Sequence, residues 1–249
     1  MVYVFLANGV EEVEAVAPID MLRRAGIRVV IVKVSANTSD DNGFISTIKR
    51  TLFYDDINDL TVTGSHNIEI VADLNEKEII FTKTPDKLAE KSEKTKEAKE
   101  AKENKEFIKF ANREEYEEYA IVKYVSDLSM IILPGGAAGV ENLYHSEIVQ
   151  KVIAYCVENK IPIGAICAAP SILARQGYLK DVTATAHPLF RHYLTENGAV
   201  LEVNQKVVTD GIFTTAAAAG VSTEFGLELV SILKGADEAK KIGEQILLY

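Results

Sequence analysis

The chain is short of several things that would have set its class at once. Its 249 residues hold two cysteines and no tryptophan. Two cysteines cannot build a disulfide framework, which excludes the small stapled folds of secreted proteins and fits a reducing compartment. Basic residues are outnumbered, 27 Lys and Arg against 37 Asp and Glu, giving a formal net charge of −10. A surface of that sign argues against nucleic acid or an anionic membrane as the main partner. No apolar run reaches the length of a membrane span. The apolar start, Met1 to Leu6, has no basic lead and meets Asn8 too soon for a signal peptide. A soluble cytoplasmic protein is the expectation. There is no Walker loop and no G-x-G-x-x-G after a strand, so nucleotide binding has no support. His66, His145 and His192 show no metal-ligand spacing with one another or with the cysteines.

What the chain does have is apolar substance, 47% of its residues, enough for a full core. Val2 to Leu6 is a short, wholly apolar run, the pattern of a strand buried on both faces. Glu11 to Ala25 carries helix formers and stops at Gly26. Ile27 to Val34 is a second buried strand, so the start is a βαβ unit with parallel pairing. Met130 to Leu133, the run ending at Ile166, and Val182 to Ala186 continue the strands, and Lys206 to Thr215 holds two more around the turn Asp210-Gly211. Helices are expected from Ser146 to Glu158, Val221 to Leu233 and Ala236 to Leu248, with Cys156 a packed core residue. The alternation predicts a layered α/β domain with an open, mostly parallel sheet.

Two stretches interrupt it. Residues 35–64 lack a clean period and read as an excursion holding a hairpin, after which His66 to Val71 resumes a strand. Residues 76–125 read as an extra strand over Glu78 to Thr82, a run from Lys87 to Glu106 with seven Lys and six Glu, and an amphipathic helix over Glu114 to Val125. Glu and Lys three or four apart support an exposed helix, yet the run has almost nothing to bury. A solvated segment is the simpler reading; a docking site for an unknown partner is the other. The expectation is a single domain, 1–249, with insertions at about 35–64 and 76–125.

Ligands of open α/β sheets bind beyond the carboxyl ends of the strands. Cys167 ends an apolar strand there, and Ala168-Ala169-Pro170 opens a helix. A helix start favours thiolate, which makes Cys167 a candidate nucleophile rather than a packed thiol. Glu11 and Glu12 read as solvated acids of a first helical turn. Glu14, set between Val13 and an apolar run, points inward, where a desolvated carboxyl would be protonated and could donate to a sulfur. Gly135-Gly136 follows a strand; it is either a tight turn or a pair of amides that, with the amide of Ala168, bind an oxyanion. His187 also follows a strand and is either a packing residue or a base for Cys167.

Together, Gly9-Val-Glu-Glu-Val-Glu14, Asp20-Met-Leu-Arg-Arg-Ala-Gly26, Leu133-Pro-Gly-Gly136, Ala165-Ile-Cys-Ala-Ala-Pro170 and Phe225-Gly-Leu-Glu-Leu229 resemble the ThiJ/PfpI superfamily, and within it the branch of the parkinsonism-associated protein deglycase and YajL. The resemblance implies a flavodoxin-like three-layer sandwich and a homodimer. It casts Cys167 as an oxidation-sensitive nucleophile, Glu14 as its protonated partner, Gly136 and Ala168 as oxyanion amides, and His187 as a histidine near the sulfur. The implied activity is cofactor-free conversion of glyoxal and methylglyoxal to hydroxy acids, or protein deglycation, protective under carbonyl and oxidative stress. A redox-sensing or chaperone role is the alternative, and a cysteine peptidase or amidase a weaker one, because Ala168 stands where the protease branch has histidine. Compact members lack both excursions. Their Gly-Pro-Gly pocket loop is here Ala217-Ala218-Ala219-Gly220, and His66 replaces an arginine near their dimer interface.

Overall fold

The computed structural model describes residues 1–35, 59–79, 81–82, 119–120 and 128–248. The Lys/Glu-rich run 87–106 lies outside them. The chain divides into two compact units, Met1–Glu76 with Leu128–Tyr249, and Lys77–Asp127. In chain order the first unit opens with β1 (Val2–Ala7), α1 (Glu12–Arg24), β2 (Val29–Val34), β3 (Thr61–Thr63), β4 (Glu69–Val71) and β5 (Leu74–Asn75). The second holds β6 (Phe81–Thr82) and β7 (Tyr119–Ala120). The first resumes with β8 (Met130–Leu133), α2 (Ala137–His145), α3 (Glu147–Glu158), β9 (Ile163–Ile166), α4 (Pro170–Arg175), β10 (Thr183–Ala184), α5 (Arg191–Glu196), β11 (Val200–Leu201), β12 (Val207–Asp210), β13 (Phe213–Ala216), α6 (Ser222–Lys234) and α7 (Ala236–Gln245).

Seven strands form the central sheet in the order β12-β13-β9-β8-β1-β2-β5. All pairs are parallel except β12 with β13, which turn back at Asp210 and Gly211. The core order β2-β1-β8-β9-β13 is the flavodoxin-like winding, with its direction reversing between β1 and β8. β1 is an interior strand and is buried along its whole length, because helices cover both faces. Val2, Val4 and Leu6 join a cluster with Ala15, Ile19 and Leu22 of α1 and Phe225 and Leu229 of α6. By alternation Tyr3 and Phe5 face the other way. There α3 buries Val149, Val152, Ile153 and Cys156, and Ile148 stays half-buried. Gly226 lets α6 lie close on α1: a Cβ there would stand 2.9 Å from the Pro18 Cα and the Met21 Cγ.

The interruptions resolve only in part. A hairpin forms, but from Thr61–Thr63 and Glu69–Val71, so the expected hairpin and the expected strand after it are its two arms; 36–58 lie outside the described residues. The extra strand is present as Phe81–Thr82. The helix expected over Glu114 to Val125 is corrected at Tyr119–Ala120, which is a strand antiparallel to Phe81–Thr82. Ladder pairing there satisfies backbone groups on both segments, a gain that no reading of local periodicity includes. β10 does not join the main sheet but pairs with β11. Among the described residues, no helix is long and apolar enough to cross a membrane.

Candidate active site

Four strand ends of the first unit converge on one sulfur. β1 leads through Asn8 and Gly9 into α1, which carries Glu14. β8 ends at Pro134 and Gly135, β9 at Cys167, and β13 at the loop 217–220. This is the carboxyl edge of the sheet at its topological switch point, where side chains and freed amides point at a common space.

Cys167 has left-handed backbone, φ +64°, a conformation that costs a non-glycine residue about 1 kcal/mol or more unless its surroundings hold it. They do so from both sides. The Cys167 amide donates to the Ala216 carbonyl at 2.8 Å, and the Cys167 carbonyl accepts from the His187 amide at 2.9 Å. The sharp turn delivers the chain into α4 with Pro170 in its first turn. The thiol remains partly accessible, whereas Cys156 is wholly buried. Burial pushes the Cys156 thiol up to about 12.

Glu14 is 1% exposed. Its Oε2 accepts from the Gly135 amide at 3.0 Å, and its carboxyl interacts with the Cys167 side chain and the Ala219 amide. Burial, joined by the negative charge of Glu11, pushes it from the ordinary carboxylate range to about 7. The thiol is pushed up too, by burial first and then by a negative Glu14, while the amides of Ala168 and Gly136 pull it down. The pair is therefore one proton-sharing unit. We place the shared proton on Glu14. An ionised Glu14 would be a buried charge facing the negative charge of Glu11, whereas a sulfur anion faces two amides and can accept from the carboxyl.

The glycine pair has two different tasks. The Gly135 amide is engaged by Glu14, so it is not free for an oxyanion; that part of the sequence expectation is corrected. Gly135 has no room for a side chain, since a Cβ would stand 2.3 Å from Glu14 Oε2 and 2.8 Å from Cys167 Cβ. The Gly136 amide, with that of Ala168, lies on the sulfur. His187 is tied to Cys167 only through its backbone. Its Nδ1 accepts from the Leu189 amide at 3.3 Å, and its ring sits edge-on to Phe190. Its imidazole is a cap, which leaves the base role assigned to it by sequence without a contact to rest on.

Glu12 departs from expectation. It is buried, not solvated. Its Oε1 accepts from the His66 amide at 2.6 Å, and its Oε2 meets His66 Nδ1 at 2.8 Å and Ser65 Oγ at 3.3 Å. Burial alone would raise this carboxyl; the His66 ring and amide outweigh it and hold it down at about 2. Glu12 thus clasps α1 to the β3–β4 hairpin, across 54 residues of sequence. No local signal carried that contact. Glu11, Glu12 and His66 also bring three ligand-type atoms within 4.8 Å of one another, but Glu12 already uses both oxygens within the clasp, which reads as an ion pair rather than a metal centre.

The comparisons agree with this layout. The model of the DJ-1/PfpI family matches residues 1–232. "Protein DJ-1 homolog A" of Arabidopsis thaliana is 27% identical over 244 residues, 98% of this chain but 45% of that protein. The chain thus spans under half the length of that relative. "Glutathione-independent glyoxalase DJR-1.2" of Caenorhabditis elegans is 28% identical over 119 residues, 48% of this chain and 62% of that one. The solved structure of Schizosaccharomyces pombe DJ-1 superposes with a TM-score of 0.68 at 22% identity, covering 98% of this chain and 97% of that chain, a likeness of fold. With the family match spanning nearly the whole sequence and the sheet wound as in that structure, the chain belongs to the DJ-1/PfpI family.

Proposed function

We propose that this protein is a cofactor-independent, cysteine-dependent lyase or deglycase that converts small reactive dicarbonyls such as glyoxal and methylglyoxal to hydroxy acids. The observation that carries the reading is the buried Glu14 carboxyl, raised to about 7, beside a partly accessible cysteine facing two amides. The relative named as a glutathione-independent glyoxalase is consistent with it. In the proposed reaction the Cys167 thiolate attacks the aldehyde carbon of methylglyoxal to give a hemithioacetal. The amides of Gly136 and Ala168 hold the oxyanion. Glu14 gives its proton to the hemithioacetal oxygen and, now ionised, takes the proton from that carbon and returns it to the neighbouring one through an enediol, leaving a thioester of lactate. Water hydrolyses the thioester, releasing lactate and the free thiol. Every atom comes from substrate and water, and no external oxidant or thiol is required. Lactate formed from methylglyoxal without glutathione is the assay. Turnover is expected to vanish in Cys167→Ser, and turnover that survives this change overturns the proposal.

We also infer that the protein works as a homodimer through the face that α1 shares with the hairpin. Val13 and Val16, 53% and 49% exposed, lie three apart on α1, and Ile68, 58% exposed, is brought beside its start by the Glu12 clasp. An apolar patch next to an active site is the surface another chain covers. Val16→Asp is expected to give a monomer in sedimentation equilibrium. Unchanged mass would remove this face as the interface.

A further inference from the structure

We propose that Glu11 is a positioning residue of the Glu14–Cys167 pair, seating Glu14 through the amide that it caps and favouring the proton on Glu14 through its own negative charge. The inference rests on the reading of Glu14 and Cys167 as one proton-sharing unit. Glu11 is the N-cap of α1, and its Oε2 accepts from the Glu14 amide at 2.8 Å. Its own amide donates to the Gly135 carbonyl at 3.1 Å, and the Gly135 amide donates to Glu14 Oε2 at 3.0 Å. Three hydrogen bonds therefore close a circuit from Glu11 through Gly135 to Glu14 and back. Capping does not by itself ask for glutamate, since Ser, Thr, Asp and Asn cap better. What glutamate adds is a full negative charge, half-exposed, at the cap of the helix whose first turn holds the buried carboxyl.

The charge has a specific consequence. After the pair loses its first proton, it is either carboxyl with thiolate or carboxylate with thiol. Repulsion from Glu11 falls on Glu14 and so disfavours the second form. Other titratable groups around the pair do not take over this task. Glu12, on the same helix, is matched by His66 of the hairpin. Glu11 also acts on His66, and His187 meets Cys167 through its backbone amide.

The test is the pH dependence of Cys167 alkylation by iodoacetamide in the wild type, Glu11→Gln, Glu11→Asp and Glu14→Gln. Glu11→Gln keeps the length and an acceptor oxygen but removes the charge; Glu11→Asp keeps both charge and cap. Near pH 7, Glu11→Gln is expected to alkylate about fivefold more slowly, from the Coulomb energy of one charge across a turn, and Glu11→Asp at nearly the wild-type rate. Equal slowing in both variants, or a wild-type profile in Glu11→Gln, overturns the proposal. Glu14→Gln separates the two failures. If it leaves the profile unchanged, the pair itself is misread; if it moves the profile and Glu11→Gln does not, only the role of Glu11 falls.

Discussion

Gly136→Ala is expected to destabilise the protein by more than about 3 kcal/mol, the largest effect of any single methyl group at the site. Two causes act together. Gly136 has φ +88°, and a Cβ there would stand 2.2 Å from the Gly9 carbonyl oxygen and 2.6 Å from the Glu11 amide. Both obstacles are backbone, so neither can rotate away; the β8–α2 turn must part from the β1–α1 turn. That separation also withdraws an amide from the Cys167 sulfur and loosens the bond between Glu11 and Gly135. Gly26→Ala is the control. Its φ is +67° but nothing lies within 4 Å of the added carbon, so it carries only the conformational cost, about 1 kcal/mol. Urea titrations of both variants decide the matter. Equal losses would show that the close approach at Gly136 has no energetic weight.

Glu14→Gln is expected to lower dicarbonyl turnover at least a hundredfold while making the folded protein more stable at neutral and alkaline pH. The loss follows from removing the carboxyl that interacts with the Cys167 side chain and is proposed to move the proton, an effect of roughly 10² to 10⁴ in rate. The gain follows from linkage. The Glu14 carboxyl is raised from 4.5 to about 7 on folding, so the folded state holds its proton more tightly than the unfolded chain does. The stability this contributes is complete below pH 4.5 and is lost as the pH rises through 7. Glutamine has no proton to lose. The wild type should fall behind the variant by about 3 kcal/mol above pH 7, with no such gap at pH 4. Thermal melts across that range, read against lactate production, test both halves. A gap independent of pH would mean that Glu14 does not titrate on folding. A stabilised, inactive variant is the signature of a strained functional group, in contrast to the Gly136 variant, which should be unstable as well as inactive.

Much of the frame was legible in the residues themselves. Strands buried on both faces show as unbroken apolar runs, and those at Val2, Ile27 and Met130 needed no partner to be recognised, because a chain that must be covered on both sides carries no alternation. The helix stop at Gly26 was legible for the same local reason, a left-handed turn that glycine adopts without strain; its φ is positive in the fold. Cys167 stood out because small residues and a proline follow an apolar strand, a pattern that dictates an abrupt turn. The inward aim of Glu14 followed from its apolar neighbours.

What only the tertiary structure decided is how the strand ends share their polar groups. Gly135 and Gly136 look alike in sequence, yet one amide goes to Glu14 and the other to the sulfur, because the first lies between Glu14 and Cys167 and the second turns, with positive φ, against the β1–α1 turn. Glu11, Glu12 and Glu14 are three acids at the cap and first turn of one helix, and their fates diverge with the angle at which each leaves it. Glu12 is buried against a hairpin more than fifty residues away, Glu14 against a cysteine more than a hundred and fifty away, and Glu11 caps the helix between them. Chain separation of that size leaves no local trace, since a side chain's environment is set by whichever elements the sheet brings beside it. The sequence alone determined that a cysteine sits at a strand-to-helix turn of a parallel α/β sheet. Folding determined which carboxyl holds the proton, because burial and neighbouring charge, the two causes that raise Glu14, exist only once β1, β8 and β9 lie side by side.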